Sequence, residues 1–123
     1  MTVKTKEPTI QNLTERLIAF RDARDWKQFH SLKDLILSLN LEASELLELT
    51  QWKSGDDFET ISQTPAMQAN LKEETADVLL YLLLVCERAG IDLLAAADEK
   101  IDKNEEKYPV EKARGTAKKY DEL

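Results

Sequence analysis

Two pairs of acids stand where the sequence pattern asks for core. Leu32, Leu35, Leu39, Glu42, Leu46 and Leu49 recur at steps of three and four, the spacing of one helix stripe. Glu42 occupies a position on that stripe, Glu45 lies one turn further along beside it, and Glu48 one turn beyond. Leu71, Glu74, Val78, Tyr81 and Val85 repeat the pattern, with Glu74 on the stripe and Asp77 three residues on. Residues at i and i+3 share a helix face. A lone E-x-x-E is ordinarily a solvated face. Two such pairs, both in register with apolar stripes on helices expected to be antiparallel neighbours, ask for a further reason. Carboxylates near a core are costly to bury, and four facing one another repel. A hard divalent cation resolves both problems, and magnesium takes oxygen ligands. No His or Cys lies in the pairs, so zinc fits poorly. Glu42, Glu45, Glu74 and Asp77 are therefore the candidate magnesium ligands, in the way that helical bundles build metal sites from facing helices.

Other residue types complete a possible site. Trp26, Phe29, Trp52 and Tyr81 can all serve as core aromatics, whereas two exposed tryptophans near a loop, Trp26 and Trp52, would instead suit a stacking platform for a base. His30 is the only histidine. It has no triad partner pattern nearby, so it reads as structural rather than catalytic, and it is counted with Trp26 of the same connector among the candidate substrate-binding residues. Between Lys107 and Lys119 five basic residues (Lys107, Lys112, Arg114, Lys118 and Lys119) face Glu111 alone. That segment is either a disordered solubilising tail or a phosphate-binding lid, since Arg and Lys neutralise phosphoryl oxygens. Gly115 lets it bend. Acids for a metal, aromatics for a base and cations for phosphates add up to a nucleotide site.

These residues need elements to position them. The chain has 123 residues, enough for one domain and too few for two large ones. Few Gly and Pro, with many Leu, Ala, Glu and Lys, predict an all-α protein. Helix spacing predicts a first helix over about residues 9–24, carrying Ile10, Leu13, Leu17 and Phe20, then an aromatic connector over 25–30. A second helix begins after Ser31 as N-cap and runs to about Trp52. Residues 53–65 read as the main loop. A third helix spans about residues 66–89, closed by Gly90. A fourth runs from about Asp92 to Tyr108, before Pro109, and residues 109–123 form the basic tail. The longest apolar run, Val78 to Cys86, is nine residues, too short for a membrane span of roughly 20. It is apolar all round, more than a small four-helix protomer needs to bury, which predicts self-assembly. The net charge of −7 argues against binding nucleic-acid strands. A single cysteine, Cys86, and a polar start without a signal-peptide pattern fit a reducing cytoplasm.

The sequence resembles the dCTP pyrophosphatases, a branch of the MazG-like, all-α nucleoside triphosphate pyrophosphohydrolase superfamily. The resemblance is carried by Arg24-Asp25-Trp26-Lys27-Gln28-Phe29-His30, by Glu42-Ala43-Ser44-Glu45 through Gln51-Trp52-Lys53, and by Glu73-Glu74-Thr75-Ala76-Asp77-Val78 through Tyr81-Leu82. It closes with Lys107-Tyr108-Pro109 and Lys119-Tyr120-Asp121-Glu122-Leu123. The E-x-x-E and E-x-x-D pairs mark the superfamily, and the Trp-x-x-Phe-His, Gln-Trp-Lys and Lys-Tyr-Pro elements mark the branch. The resemblance implies magnesium on Glu42, Glu45, Glu74 and Asp77, and a nucleoside pocket lined by Trp26, Trp52 and Tyr81. It places Lys100 and Asn104 towards phosphate and sugar or base; apart from the resemblance, the cations Lys107 and Arg114 are candidates to stabilise the leaving pyrophosphate with Lys100, and Tyr108 is a further candidate substrate-binding residue. It also implies a homotetramer with sites shared between chains. The chain departs from the animal members at Leu17, where they carry a histidine.

The expectation is a single MazG-like domain over residues 1–123 that hydrolyses dCTP-like deoxynucleoside triphosphates between the α- and β-phosphates. The products are the monophosphate and pyrophosphate, and the role is clearing of the nucleotide pool. Glu45 is the first candidate for the general base and Glu48 the second. The alternatives are the same chemistry on dUTP, dATP or a modified nucleotide, or a helical interaction module without catalysis.

Overall fold

Each long helix opens on a side-chain cap. In the computed structural model, which describes residues 7–123, Thr9 accepts from the Asn12 N–H at 3.0 Å at the start of α1 (Ile10–Ala23). Ser31 accepts from the Asp34 N–H at 3.1 Å at the start of α2 (Leu32–Glu48). Ser54 does the same for α3 (Gly55–Ile61), and Thr64 for α4 (Pro65–Ala89), whose first residue is the proline that suits a helix start. Asp92 caps α5 (Leu93–Lys107) through the Ala95 N–H. A short α6 (Val110–Ala113) follows Pro109. Short 3-10 turns lie at Lys27–Phe29 and Tyr120–Glu122, and no strand occurs among the described residues.

The fold is all-helical, as expected, with two short helices beyond the four anticipated. Residues 53–65 are not one loop, because α3 occupies their middle. The second helix stops at Glu48 instead of near Trp52, and Leu49 to Trp52 form successive turns. Gly90 adopts the left-handed conformation (φ 71°) that closes α4, a conformation that costs glycine little.

The chain divides into two compact units, one ending at Gly90 and one spanning Ile91–Leu123. In the first, α4 packs along α2 and also against α1. The buried centre is small: Leu35 from α2, and Leu83, Leu84 and Cys86 from α4. Arg21 of α1 is buried with them, only 4 % exposed, and bonds Asp22 at 2.9 Å and Glu87 of α4 at 3.2 Å. That pair ties α1 to α4. Large apolar side chains on α2, among them Ile36, Leu37, Leu41 and Leu47, remain exposed. No helix is long and apolar enough to cross a membrane among the described residues.

Candidate active site

The α2–α4 pairing places the two acidic motifs opposite one another. One carboxylate oxygen from each of Glu42, Glu45 and Glu74 lies within 4.8 Å of the others. Glu42 and Glu74 are half-buried and Glu45 is exposed. Glu42 Oε2 and Glu74 Oε2 are buried oxygens without a hydrogen-bond partner among the described residues. Burial first, then Glu45, raises both carboxyls above the ordinary glutamate range. A hydrogen bond between Glu45 and either neighbour requires one carboxyl to hold a proton. The negative charge of Asp77 pushes Glu42 and Glu74 up as well. Asp77 stands outside the 4.8 Å set yet acts on two of its members.

This donor set suits a hard cation. It offers only carboxylate oxygens, two of them buried and unpaired, and the buried cation nearby, Arg21, is already bonded to Asp22 and Glu87. Glu48 ends α2 as an exposed residue and is not part of the three-acid group.

Beside the acids lies a cleft of about 240 Å³. Asp77, and Tyr81 one turn further along α4, form part of its wall, with Leu17 and Phe20 of α1 and Trp26 and His30 of the connector. The connector is held locally. Asp25 takes a positive φ of 55°, and the Gln28 side-chain amide bonds its carbonyl at 3.0 Å and its carboxylate at 2.9 Å. The Trp26 N–H donates to the Arg21 carbonyl at 3.1 Å, and the Trp26 ring meets Phe20 edge-on with centroids 5.7 Å apart. Three expected site residues, Trp26, His30 and Tyr81, thus share one wall with an acid of the pair on α4.

Trp52 is not among them. It is 93 % exposed and holds a left-handed backbone (φ 64°), a conformation that disfavours bulky residues. In the second unit Lys100, Asn104 and Lys107 follow one face of α5, all exposed. The tail folds back on the end of that helix. Gly115 turns with φ 73°, Tyr120 meets Tyr108 edge-on at 6.2 Å, and Lys107 Nζ lies 4.9 Å from the Tyr120 ring centre. Arg114 ends α6 as an exposed residue.

Arg21 was not expected at the site, yet it forms part of the cleft wall. Its signal was available: Ile10, Thr14, Leu17 and Arg21 follow helix spacing, so a cation sits on the inner stripe of α1 just as Glu42 sits on that of α2.

The description of the MazG-like family matches residues 37–123, which contain both acidic motifs. The chain belongs to the MazG-like family. This MazG-like chain is 41 % identical over 117 residues to dCTP pyrophosphatase 1 of Mus musculus, covering 95 % of itself and 69 % of that protein. It is 39 % identical to dCTP pyrophosphatase 1 of Homo sapiens over the same length and shares. The solved structure of a pyrophosphatase from Archaeoglobus fulgidus aligns with a TM-score of 0.77 and 37 % identity, over 88 % of this chain and 99 % of that one.

Proposed function

We propose that this MazG-like chain is a magnesium-dependent nucleoside triphosphate pyrophosphohydrolase. It cleaves dCTP-like deoxynucleotides between the α- and β-phosphates, leaving the monophosphate and pyrophosphate. The observation that carries the reading is the convergence of Glu42, Glu45 and Glu74 with two buried, unpaired oxygens beside an aromatic cleft. The relatives named dCTP pyrophosphatase support the substrate class.

Glu42, Glu45, Glu74 and Asp77 would hold magnesium, which when bound neutralises phosphate charge and acidifies a coordinated water. Glu45, the exposed acid of the three, is the proposed base that takes the proton of the attacking water, with Glu48 as the second candidate. Trp26 and Tyr81 hold the nucleoside by their ring faces, and a small pocket favours a pyrimidine. Trp52 adds a third ring on this reading. Lys100 and Asn104 are proposed to meet phosphate and sugar or base on the strength of the family resemblance, and Lys107 and Arg114, as cations, to stabilise the leaving pyrophosphate, with Tyr108 as a further candidate substrate-binding residue. Exposed apolar residues along α2 support the homotetramer. A free buried thiol, Cys86, fits a cytoplasmic protein that clears unwanted nucleotides.

One observation favours a second reading, with the same chemistry on dUTP, dATP or a modified nucleotide. Leu17, where the animal members carry a histidine, lines the cleft itself. Asp77→Asn tests the site. Turnover should fall by at least about a hundredfold while the helical circular dichroism persists. Unimpaired turnover would remove Asp77 from the site.

A further inference from the structure

Two polar groups of the cleft wall are buried, and the fold treats them differently. His30 Nδ1 has no hydrogen-bond partner among the described residues. The Arg21 guanidinium donates from Nε to Asp22 at 2.9 Å and from Nη1 to Glu87 of α4 at 3.2 Å. Among the described residues of α1, Arg21 alone is buried. The apolar residues of that helix, among them Leu13, Leu17 and Phe20, are half-buried or exposed. A cation therefore fixes the end of α1 to α4, although the rest of the buried centre is Leu35, Leu83, Leu84 and Cys86. Burying an ion pair is a poor route to stability, because desolvation offsets the attraction and a well-packed apolar pair of similar volume serves as well. What a charged bond has, and an apolar contact lacks, is a fixed distance and direction.

The backbone of the same residue holds the connector. The Arg21 carbonyl accepts from the Trp26 N–H at 3.1 Å and from the Arg24 N–H at 3.2 Å. Glu87 stands on α4 one to two turns beyond Leu80, Tyr81 and Leu84, which line the cleft. Arg21 thus bonds the connector through its carbonyl and α4 through its guanidinium. We infer that Arg21 is a positioning residue: this double attachment fixes Trp26 relative to Tyr81, so that the cleft is shaped for the nucleoside before one binds. The inference rests on the nucleotide reading above. A cleft shaped in advance loses less freedom on binding. The three acids that would hold the metal lie on α2 and α4, which pack on each other directly. Loosening Arg21 should therefore weaken the hold on substrate and transition state alike, which raises KM and leaves kcat.

The test measures kcat, KM and melting temperature with magnesium and the best of the four deoxynucleoside triphosphates. It compares the wild type, Arg21→Met and the double variant Arg21→Met/Glu87→Leu. Arg21→Met leaves Glu87 without its cation, whereas the double variant replaces both charges by apolar side chains and should regain much of the lost stability. It does not regain a directed bond. Expected in Arg21→Met is a KM raised about tenfold with kcat within about twofold of the wild type. The double variant should keep the raised KM while its melting temperature recovers. A KM that returns to the wild-type value together with the melting temperature shows a structural role alone and overturns the inference. An unchanged KM in Arg21→Met overturns it too, as does a loss carried by kcat. If neither variant folds, Glu87→Gln decides, since it keeps the side-chain shape and the bond to Asp22. Its KM should rise about threefold, and an unchanged KM overturns the inference. A wild type that turns over none of the four triphosphates overturns the nucleotide reading, and this inference with it, before any variant is made.

Discussion

Glu42→Gln should make the metal-free protein more stable and remove most of its response to magnesium. The structure sets the size of the first effect. Oxygens of Glu42 and Glu45 lie within 4.8 Å of one another. Two full charges at that separation repel by about 0.9 kcal/mol at the dielectric of water and about 3.5 kcal/mol at the effective value for pairs near a protein surface. Glu42 is half-buried and Glu45 is exposed, so the lower half of that range applies, about 1–2 kcal/mol. A neutral amide at position 42 removes that repulsion and adds N–H groups that can donate to Glu45. For a domain of this size the melting temperature should rise by about 4–8 °C in EDTA at pH 8. The second effect has the opposite sign. Magnesium at a hundred times its dissociation constant stabilises the wild type by about 2.7 kcal/mol, because the folded state alone presents the site. Glu42→Gln should lose most of that gain. Differential scanning fluorimetry with and without magnesium reads both effects on one plate. A lower melting temperature of the variant in EDTA would show that the acids are not in repulsion. A magnesium shift equal to that of the wild type would show that Glu42 does not hold the ion.

Two further perturbations address the site and its frame. Glu42 and Glu74 have folded-state pKa values raised above the ordinary 4.5, so they bind protons more readily when folded. Their contribution to stability is full below that value and is lost as pH rises through the raised values. The contribution of these groups to the melting temperature in EDTA should therefore fall as pH is raised above about 4.5, and the magnesium shift should grow as it does. A magnesium shift independent of pH would contradict the cause assigned to the raised values. Arg21→Met removes the part-buried bonds from a buried guanidinium to Asp22 and Glu87 and should cost about 2–3 kcal/mol in urea unfolding. A variant within 0.5 kcal/mol of the wild type, to within about the usual surface scatter, would show that the α1–α4 tie is dispensable.

The helices that carry chemistry were legible because their stripes are strong. Steps of three and four placed Glu42 and Glu74 on inner faces, and the fold brings them together with Glu45. Ser31, Gly90 and Asp92 announced their caps by residue type alone. The segment Ser54-Gly55-Asp56-Asp57 misled because helix-start and loop signals use the same residues. Ser54 caps α3, and Asp56 and Asp57 sit in its first turn, where the helix dipole favours acids. Seven residues offered too little apolar periodicity to tip the balance. The aromatics were legible as types but not as places. Trp26 and Tyr81 line one cleft because α1 packs on α4, a tertiary fact absent from local spacing. Trp52 stands on a left-handed backbone that no pattern of neighbouring residues announced. The unpaired His30 nitrogen likewise depends on which helices surround it.

The central claim concerns where the phosphate chain is cut, and the products of a single incubation decide it. Purified protein with magnesium and each of the four deoxynucleoside triphosphates, resolved by anion-exchange chromatography, should yield monophosphate and pyrophosphate in equal amounts, fastest with dCTP or a close pyrimidine relative. Nucleoside diphosphate with inorganic phosphate, or four intact triphosphates, would contradict it.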